Sequence, residues 1–493
     1  MKFGLSDKVI TKIQEVFESI AKVDKAFVFG SRAKGNFKEG SDIDIAIKGQ
    51  EINFKDILFL TGKLDDLNLP YKIDLINYHT IKEPALVEHI DRVGIEFYSR
   101  WKEYRLGEIA EITSSKRIFY SDYVSEGIPF FRSKEIIEKS LGESSGAPLY
   151  ISNKRYIDIK EKFGAPVDGD LLISAVGERA GIPYVVKNQG DFYFKDGNLI
   201  WLRNIKSDLN IMYFNYWLKS SIGQSTLDSI MIGSAQKVLT IIGLKNLLVL
   251  LPPIIEQTVI ASILTSLDDK IDLLHRQNKT LEQLAETLFR QWFVEEEWKG
   301  CLSEFVKVQG GYAFKSNDFK ETGFAGIIKI TNVSMAFVDI SRCDYVDESA
   351  VKNLDTKFKI KSGDFLIAMT GAEIGKIGIV EKTEKEIWLN QRVGKLEAKV
   401  PYGNIIGYLA LKSREGQDHI LNTCSGSAQE NISTTGIEEM IFASYNEKKA
   451  ICFGEEVQPL FEKIITNLNQ IRTLTQLRDT LLPKLMSGEV RVN

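Results

Sequence analysis

The spacing of apolar residues along this chain changes character near Arg100 and again at Pro252-Pro253. Before Arg100 it alternates between a helical and a strand period. Helices are expected over Ser6 to Lys22, Phe54 to Leu67 and Glu83 to Val93. Strands are expected over Ala26 to Phe29, Asp42 to Ile47 and Lys72 to Ile76, with a glycine-bearing turn after the first. From about Trp101 to Leu251, short β-branched and aromatic runs such as Tyr184-Val185-Val186 and Leu199-Ile200-Trp201-Leu202 lie between Gly, Asn and Asp, interrupted by short helices such as Ile211 to Lys219. That pattern predicts a strand-rich α/β body.

After Pro252-Pro253, Ile254 to about Glu296 contains no proline, and Leu264, Leu267, Ile271, Leu274, Asn278, Leu281, Ala285, Leu288 and Trp292 follow an alternating three-four spacing. This is a coiled-coil seam, and a helix of that extent would be roughly 65 Å long. Val457, Leu460, Ile464, Asn467, Ile471, Leu474, Arg478, Leu481 and Leu485 repeat the seam near the C-terminus. The simplest arrangement packs the two helices antiparallel, with the bodies at opposite ends of a rod and Asn278 and Asn467 fixing the register. The alternative is a plain core hairpin inside a larger domain.

Two stretches spell the same residues at a fixed distance. Gly233-Ser234-Ala235-Gln236 recurs as Gly426-Ser427-Ala428-Gln429, a displacement of 193 residues. Thr280, Leu281, Gln283, Leu284, Thr287 and Leu288 recur at the same displacement as Thr473, Leu474, Gln476, Leu477, Thr480 and Leu481. Gly169-Asp170-Leu171-Leu172-Ile173 echoes Gly363-Asp364-Phe365-Leu366-Ile367 with one residue of slippage. A repeat this long is a duplicated domain, not a solenoid unit. The expected organisation is an N-terminal domain at 1–99, a first body at 100–252, a long helix at 253–299, a second body at 300–446 and a second long helix at 447–493.

At 493 residues, 26% charged and 44% hydrophobic, the chain has the composition of a globular protein with several cores. Cys301, Cys343, Cys424 and Cys452 are far apart, which argues against a disulfide framework or a zinc knuckle. The apolar run Val238 to Ile255 is broken by Lys245, Asn246 and two prolines, so a soluble, cytoplasmic protein is expected. A net charge of -4 argues against unassisted, tight, non-specific grip on DNA, while leaving room for local basic loops or for partners that supply phosphate contacts.

From Trp101 onward the residues resemble the DNA specificity subunit of type I restriction-modification systems. The resemblance rests on an ordered set: a Gly-Asp-hydrophobic strand followed by a Gly turn (Gly169 to Gly177, Gly363 to Gly371), Gly-Ser-Ala-Gln before a long helix, and Pro252-Pro253-Ile254-Ile255-Glu256-Gln257 opening it. The second copy opens instead with Tyr445-Asn446-Glu447. The resemblance implies two target-recognition domains that each read half of a split double-stranded DNA site, helices that act as a ruler, methyltransferase subunits docked on them, and a separate translocase-nuclease subunit. Neither a methyl-donor loop nor a P-loop is found in this region, which agrees with a reader. Asn68-Leu69-Pro70-Tyr71 resembles an amino-methyltransferase motif only in part and reads as a turn.

Base-edge readout needs Arg, Asn or Gln, and phosphate anchoring needs Lys and Arg. The candidates are Lys116, Arg117, Arg132, Lys134, Lys154, Arg155 and Arg179 in the first body, and Lys315, Lys329, Asn332, Arg342, Lys357 and Arg392 in the second. The alternative for any one of them is an ordinary solvated charge.

The N-terminal unit carries separate chemistry. Gly30-Ser31-Arg32-Ala33-Lys34-Gly35 follows a strand, and Asp42-Ile43-Asp44 opens the next, with both acids on one face and Ile43, Ile45 and Ile47 entering the core. Asp74 in Lys72-Ile73-Asp74 supplies a third carboxylate, and three such groups suit Mg²⁺. This unit resembles the minimal nucleotidyltransferases of the polymerase-β-like superfamily. The resemblance implies that Asp42, Asp44 and Asp74 bind Mg²⁺ and catalyse, and that Gly30, Ser31 and Gly35 hold a nucleoside triphosphate. The alternatives are a degenerate domain kept for docking, or a chain whose main activity is AMP transfer to a protein, with the repeats as its delivery device.

Overall fold

The computed structural model describes residues 1–493 except Met1, Ala21, Glu39, Gln50, 143–145, Ala147, 234–235, 295–298, 425–429 and Asn493. The chain forms two compact units, one made of Met1–Thr265 with Asp479–Asn493, the other of Ser266–Arg478.

The first unit opens with α1 (Asp7–Glu18), β1 (Val23–Phe29), α2 (Gly30–Lys34), β2 (Ile43–Gly49), α3 (Phe54–Asp65), β3 (Ile73–Asn77), α4 (Pro84–Val93) and β4 (Ile95–Ser99). The sheet runs β3-β2-β1-β4, with β2 and β3 parallel and the other pairs antiparallel. Two elements differ from the sequence pattern. The glycine-bearing turn is a five-residue helix, α2, and β4 is an additional edge strand with Ile95 and Glu96 exposed.

The two bodies share an inner frame down to single hydrogen bonds. In the first, strands Pro183–Val185, Leu171–Ser174, Leu199–Arg203 and Glu111–Thr113 form one sheet in that order. In the second, Ile377–Val380, Phe365–Ala368, Val393–Ala398 and Val306–Gly310 take the same places. The Gly-Asp turn repeats as well: Gly169 N donates to Val186 O and Gly363 N to Val380 O, each at 2.9 Å. Both glycines have positive φ (92° and 86°), a conformation that side chains with a Cβ rarely adopt. Ser220 Oγ caps a helix by accepting from Gly223 N (3.2 Å), as Ser413 Oγ does from Gly416 N (3.1 Å). Gln224 Nε2 donates to Leu218 O, and its counterpart Gln417 Nε2 to Leu411 O.

The outer layers differ. Each contains a parallel strand pair, Ile128–Phe131 with Tyr193–Phe194 at the edge of its sheet and Ala325–Ile328 with Glu386–Leu389 at the centre of its own. The first body adds helices Ser133–Ser140 and Asn153–Phe163. At the matching places the second body has a 3-10 turn, Ile330–Asn332, and a four-residue helix, Glu348–Val351.

The two long helices run Ile254–Phe289, closed by a π turn at Arg290–Val294, and Glu447–Met486. They pack antiparallel within each unit. Ile260, Ala261 and Leu264 share a core with Leu485 and Met486 in the first unit, and Ala285, Phe289 and Phe293 share one with Phe453, Val457 and Phe461 in the second. Asn467 is fully buried on this seam, and Asp268 pairs with Arg478 at 2.8 Å.

The opening motif of the first long helix is a junction. Gln257, 1% exposed, accepts from Asn210 N and donates to Asp208 O and Pro252 O, each at 2.9 Å. Glu256 pairs with Arg100 at 3.0 Å, so the helix start is bolted both to the first body and to the segment leading in from β4. Asn68 to Tyr71 lie in the turn before β3. Ser234, Ala235 and all of Gly426 to Gln429 lie outside the described residues.

Candidate functional site

Strand alternation builds the acid cluster of the N-terminal domain. Ile43, Ile45 and Ile47 are fully buried on one side of β2, and Asp44 lies on the other with Asp42 just before the strand. The parallel register sets Asp44 directly opposite Asp74 on β3. Burial, then the charges of Asp74 and Asp42, push the Asp44 carboxyl above its ordinary range, while Lys72 pulls it down. Lys72 Nζ lies 2.6 Å from Asp74 Oδ1, and that contact raises the lysine's own pKa.

The glycine motif meets this cluster. Gly30 has φ +70°, and a Cβ placed there would fall 2.2 Å from Asp44 Oδ2, so no larger residue lets the backbone approach the carboxylate. Ser31 lies in α2, and Gly35, at φ +74°, ends it in the left-handed conformation. No group of three or more His, Cys, Asp or Glu side chains that could hold a metal ion as placed is found among the described residues; Lys72, 2.6 Å from Asp74 Oδ1, supplies the balancing positive charge. By donor type alone, the three carboxylates are the hard-oxygen ligands that a divalent cation such as Mg²⁺ prefers.

Sequence reasoning missed Arg32. Its side chain is 3% exposed and has no carboxylate partner among the described residues. Nε donates to Ser41 O (3.0 Å) and Asp42 O (3.2 Å), Nη2 to Ser41 O (2.6 Å) and Nη1 to Phe3 O (2.9 Å). Its guanidinium also lies 4.6 Å from the Tyr71 ring centroid and 5.2 Å from that of Phe37. The only sequence signal was an arginine inside a motif of small residues.

The basic candidates of the bodies fall largely on the outer layers, in several environments. Arg117 pairs with Asp196 (2.9 Å), Lys134 with Glu138 (3.6 Å) and Arg155 with Asp122 (3.9 Å). Lys329 pairs with Asp344, and Arg392 Nη1 donates to Asn431 Oδ1 (3.1 Å). Lys116, Arg179 and Lys315 are exposed, and among the described residues none of their side chains has an ion-pair partner.

Arg132 and Lys329 occupy matching positions. Arg132 N is capped by Glu135 Oε2 (2.8 Å) and Lys329 N by Asn332 Oδ1 (2.9 Å). Asn332 is 4% exposed, and its Nδ2 donates to Asp339 O. Both ends of its amide are therefore spent inside the fold, and Asn332 acts as a turn cap instead of a group presented to a base.

No helix among the described residues is long and apolar enough to cross a membrane.

Comparison with known proteins agrees with this geometry. Residues 11–103 match the family described as Polymerase beta, Nucleotidyltransferase. Residues 98–283 and 295–443, more than half of the chain, match the Type I restriction modification DNA specificity domain. The MjaIX specificity subunit of a type I restriction enzyme of Methanocaldococcus jannaschii is 27% identical over 419 residues, with 79% of this chain and 89% of that protein covered. A second protein of that organism, provisionally described as a protein adenylyltransferase, is 34% identical over 85 residues, covering 17% of this chain and 86% of its own length. Among solved structures, a type I restriction-modification S subunit from M. genitalium aligns over 78% of this chain and 96% of its own, with 16% identity and a TM-score of 0.49. The chain belongs to the family of the type I restriction modification DNA specificity domain, with a polymerase-β-like nucleotidyltransferase domain preceding the two specificity repeats.

Proposed function

We propose that this chain is the sequence-reading subunit of a type I restriction-modification complex, recognising a bipartite duplex site and docking methyltransferase subunits and, with them, a translocase-nuclease subunit. The observation that carries this reading is one inner frame bearing two different outer layers: two readers of one design with unlike surfaces suit two unlike half-sites. Lys116, Arg179 and Lys315 lead as DNA contacts because no ion pair has to be given up. Arg117, Lys134, Arg155 and Lys329 follow, since exposed pairs are worth about 0–1 kcal/mol and exchange readily for phosphate; Arg132, whose guanidinium holds the buried Glu135, and Arg392, hydrogen-bonded to Asn431, come after them. Replacing residues 101–251 with a homologous body and sequencing the cell's methylome is the test. A change in one half of the methylated motif is expected; a change in both halves or in neither overturns the reading.

The docking face is suggested by what the duplication has kept. Thr280, Gln283, Leu284 and Thr287 are exposed, and so are their counterparts Thr473, Gln476, Leu477 and Thr480. Leu284 and Leu477 are each 46% exposed. Packing does not require these identities, so a partner subunit present in two copies explains them. Leu284→Asp and Leu477→Asp should each remove one methyltransferase subunit from the complex, read by native mass spectrometry; unchanged stoichiometry in both overturns the assignment.

For the N-terminal domain, Asp42, Asp44 and Asp74 would hold Mg²⁺, which when bound neutralises triphosphate charge and favours attack by a hydroxyl. The Gly30, Ser31 and Gly35 turn offers backbone N–H groups to phosphate, and Asp74 would accept the proton of the hydroxyl that attacks the α-phosphorus as the α–β P–O bond breaks and pyrophosphate leaves. A second reading, in which AMP transfer to a protein is the main activity and the repeats deliver it, is supported by the register that sets Asp44 opposite Asp74 and against the Gly30 turn. Incubation with labelled ATP and Mg²⁺ decides it: no label transfer, or equal transfer by Asp42→Ala/Asp44→Ala, removes it.

A further inference from the structure

We propose that Arg32 is a positioning residue for metal binding, acting through the backbone of Asp42; this rests on the nucleotidyltransferase reading of the N-terminal domain. Asp42 precedes β2, and the neighbouring strand ties its segment only through Ile43 N, which donates to Lys72 O at 2.8 Å. The guanidinium holds the carbonyls of Ser41 and Asp42 on the other side of that tie. Nε and Nη2 together make three hydrogen bonds to the carbonyls of Ser41 and Asp42, and Nη1 reaches Phe3 O.

The chemistry of these bonds points the same way. A buried arginine is normally satisfied by a carboxylate, which neutralises it. Here every acceptor is a main-chain carbonyl, and Asp42, the acid nearest in sequence to those carbonyls, keeps its side chain exposed and outside the arginine's bonds. Arg32 thus orients the segment that carries the ligand without consuming the ligand.

The anchor is itself held. Phe3 adopts φ +60° and is 7% exposed, its ring 5.7 Å from that of Phe97. A Cβ on Gly4 would fall 2.3 Å from the Phe37 ring. The residues Lys2–Gly4 therefore form a strap over Phe37 that presents Phe3 O to Arg32. A non-glycine residue at positive φ stores strain that its surroundings must override, and the guanidinium bond to Phe3 O is part of what does so.

Lysine cannot replace this function: a single ammonium has neither the planar fork nor the reach to hold carbonyls on two sides. Groups that orient ligands typically change metal affinity 10–100-fold when removed. The test is Mn²⁺ binding by the full chain, read as loss of the free-ion EPR signal, for the parent, Arg32→Lys, Asp42→Ala and the double variant, with thermal melting in parallel. Arg32→Lys is expected to weaken binding roughly tenfold or more, and to add nothing further in the Asp42→Ala background. Phe3→Ala, which leaves Arg32 in place, serves as a milder second variant and should weaken binding in the same direction. Equal weakening by Arg32→Lys with and without Asp42, or full Mn²⁺ affinity in a folded Arg32→Lys chain, overturns the proposal. Mn²⁺ binding absent from the parent itself would overturn the nucleotidyltransferase reading along with it.

Discussion

Asn467 Nδ2 donates to Asn278 Oδ1 at 2.8 Å across the helix seam, and also to Gln277 Oε1 at 2.9 Å. The pair lies where two leucines would pack, with Asn467 wholly buried. A polar residue on such a seam lowers stability but makes shifted registers worse, because a slipped helix leaves the amides facing carbon.

Substituting one partner leaves the other amide stranded. Asn467→Leu should lower unfolding free energy by about 1–3 kcal/mol in urea titrations. Asn278→Leu/Asn467→Leu should recover that loss, at the expense of a single register. Register loss would appear as heterogeneous cross-linking between cysteines introduced on the two helices.

Asp44 links stability to chemistry. Its carboxyl is raised by burial, Asp74 and Asp42, so the stability it contributes is present below its unfolded pKa of 3.8 and lost as pH rises through the folded value. Asp44→Asn should therefore raise the melting temperature of the N-terminal domain at about pH 7.5 while abolishing the nucleotide transfer proposed for it. The melting advantage should vanish on acidification below pH 3.8. Domain melting can be followed by differential scanning calorimetry.

Glu381 gives a sharper pH profile. Burial raises its carboxyl from 4.5 to about 7 despite Arg472, whose Nη1 lies 3.5 Å away. Stability is full below pH 4.5 and falls as pH rises to about 7. Glu381→Gln should be more stable than the parent by up to about 3 kcal/mol near pH 8, with the gap closing towards pH 4.5. A constant gap across that range would assign the effect to packing.

Gly454 is a contact with no spare room: a Cβ there would lie 2.0 Å from Tyr402 Cγ, and Tyr402 itself holds φ +60°. Gly454→Ala should cost about 1–3 kcal/mol by overpacking, read from thermal or urea denaturation. Adding Tyr402→Ala should restore part of that loss, a coupling that independent sites would not show.

The helix seam was legible because its period is long and its positions agree: Leu264, Ile271, Leu274, Ala285, Val457, Ile464 and Asn467 are buried as the spacing requires. The placement of Asp44 was legible because alternation along β2 sets it apart from Ile43 and Ile45. α2 was not, since five residues hold little more than one helical turn. β4 escaped because an edge strand with Ile95 and Glu96 exposed shows no clean alternation. Arg32 and Gln257 were hidden for another reason. Nothing in one dimension shows that a polar side chain has carbonyls waiting for it in the interior. Asn332 was misjudged on the same ground, as its acceptor is a turn that only the folded chain creates.

Because the two bodies differ in their covers and agree in their frames, sequence change in this protein is compartmentalised. Drift or recombination can rewrite the surface carried by the Ser133–Ser140 and Asn153–Phe163 helices without disturbing the caps at Ser220 and Ser413. Such a molecule can acquire a new preference in one half while keeping the old one in the other, so its repertoire grows as the product of two independent alphabets.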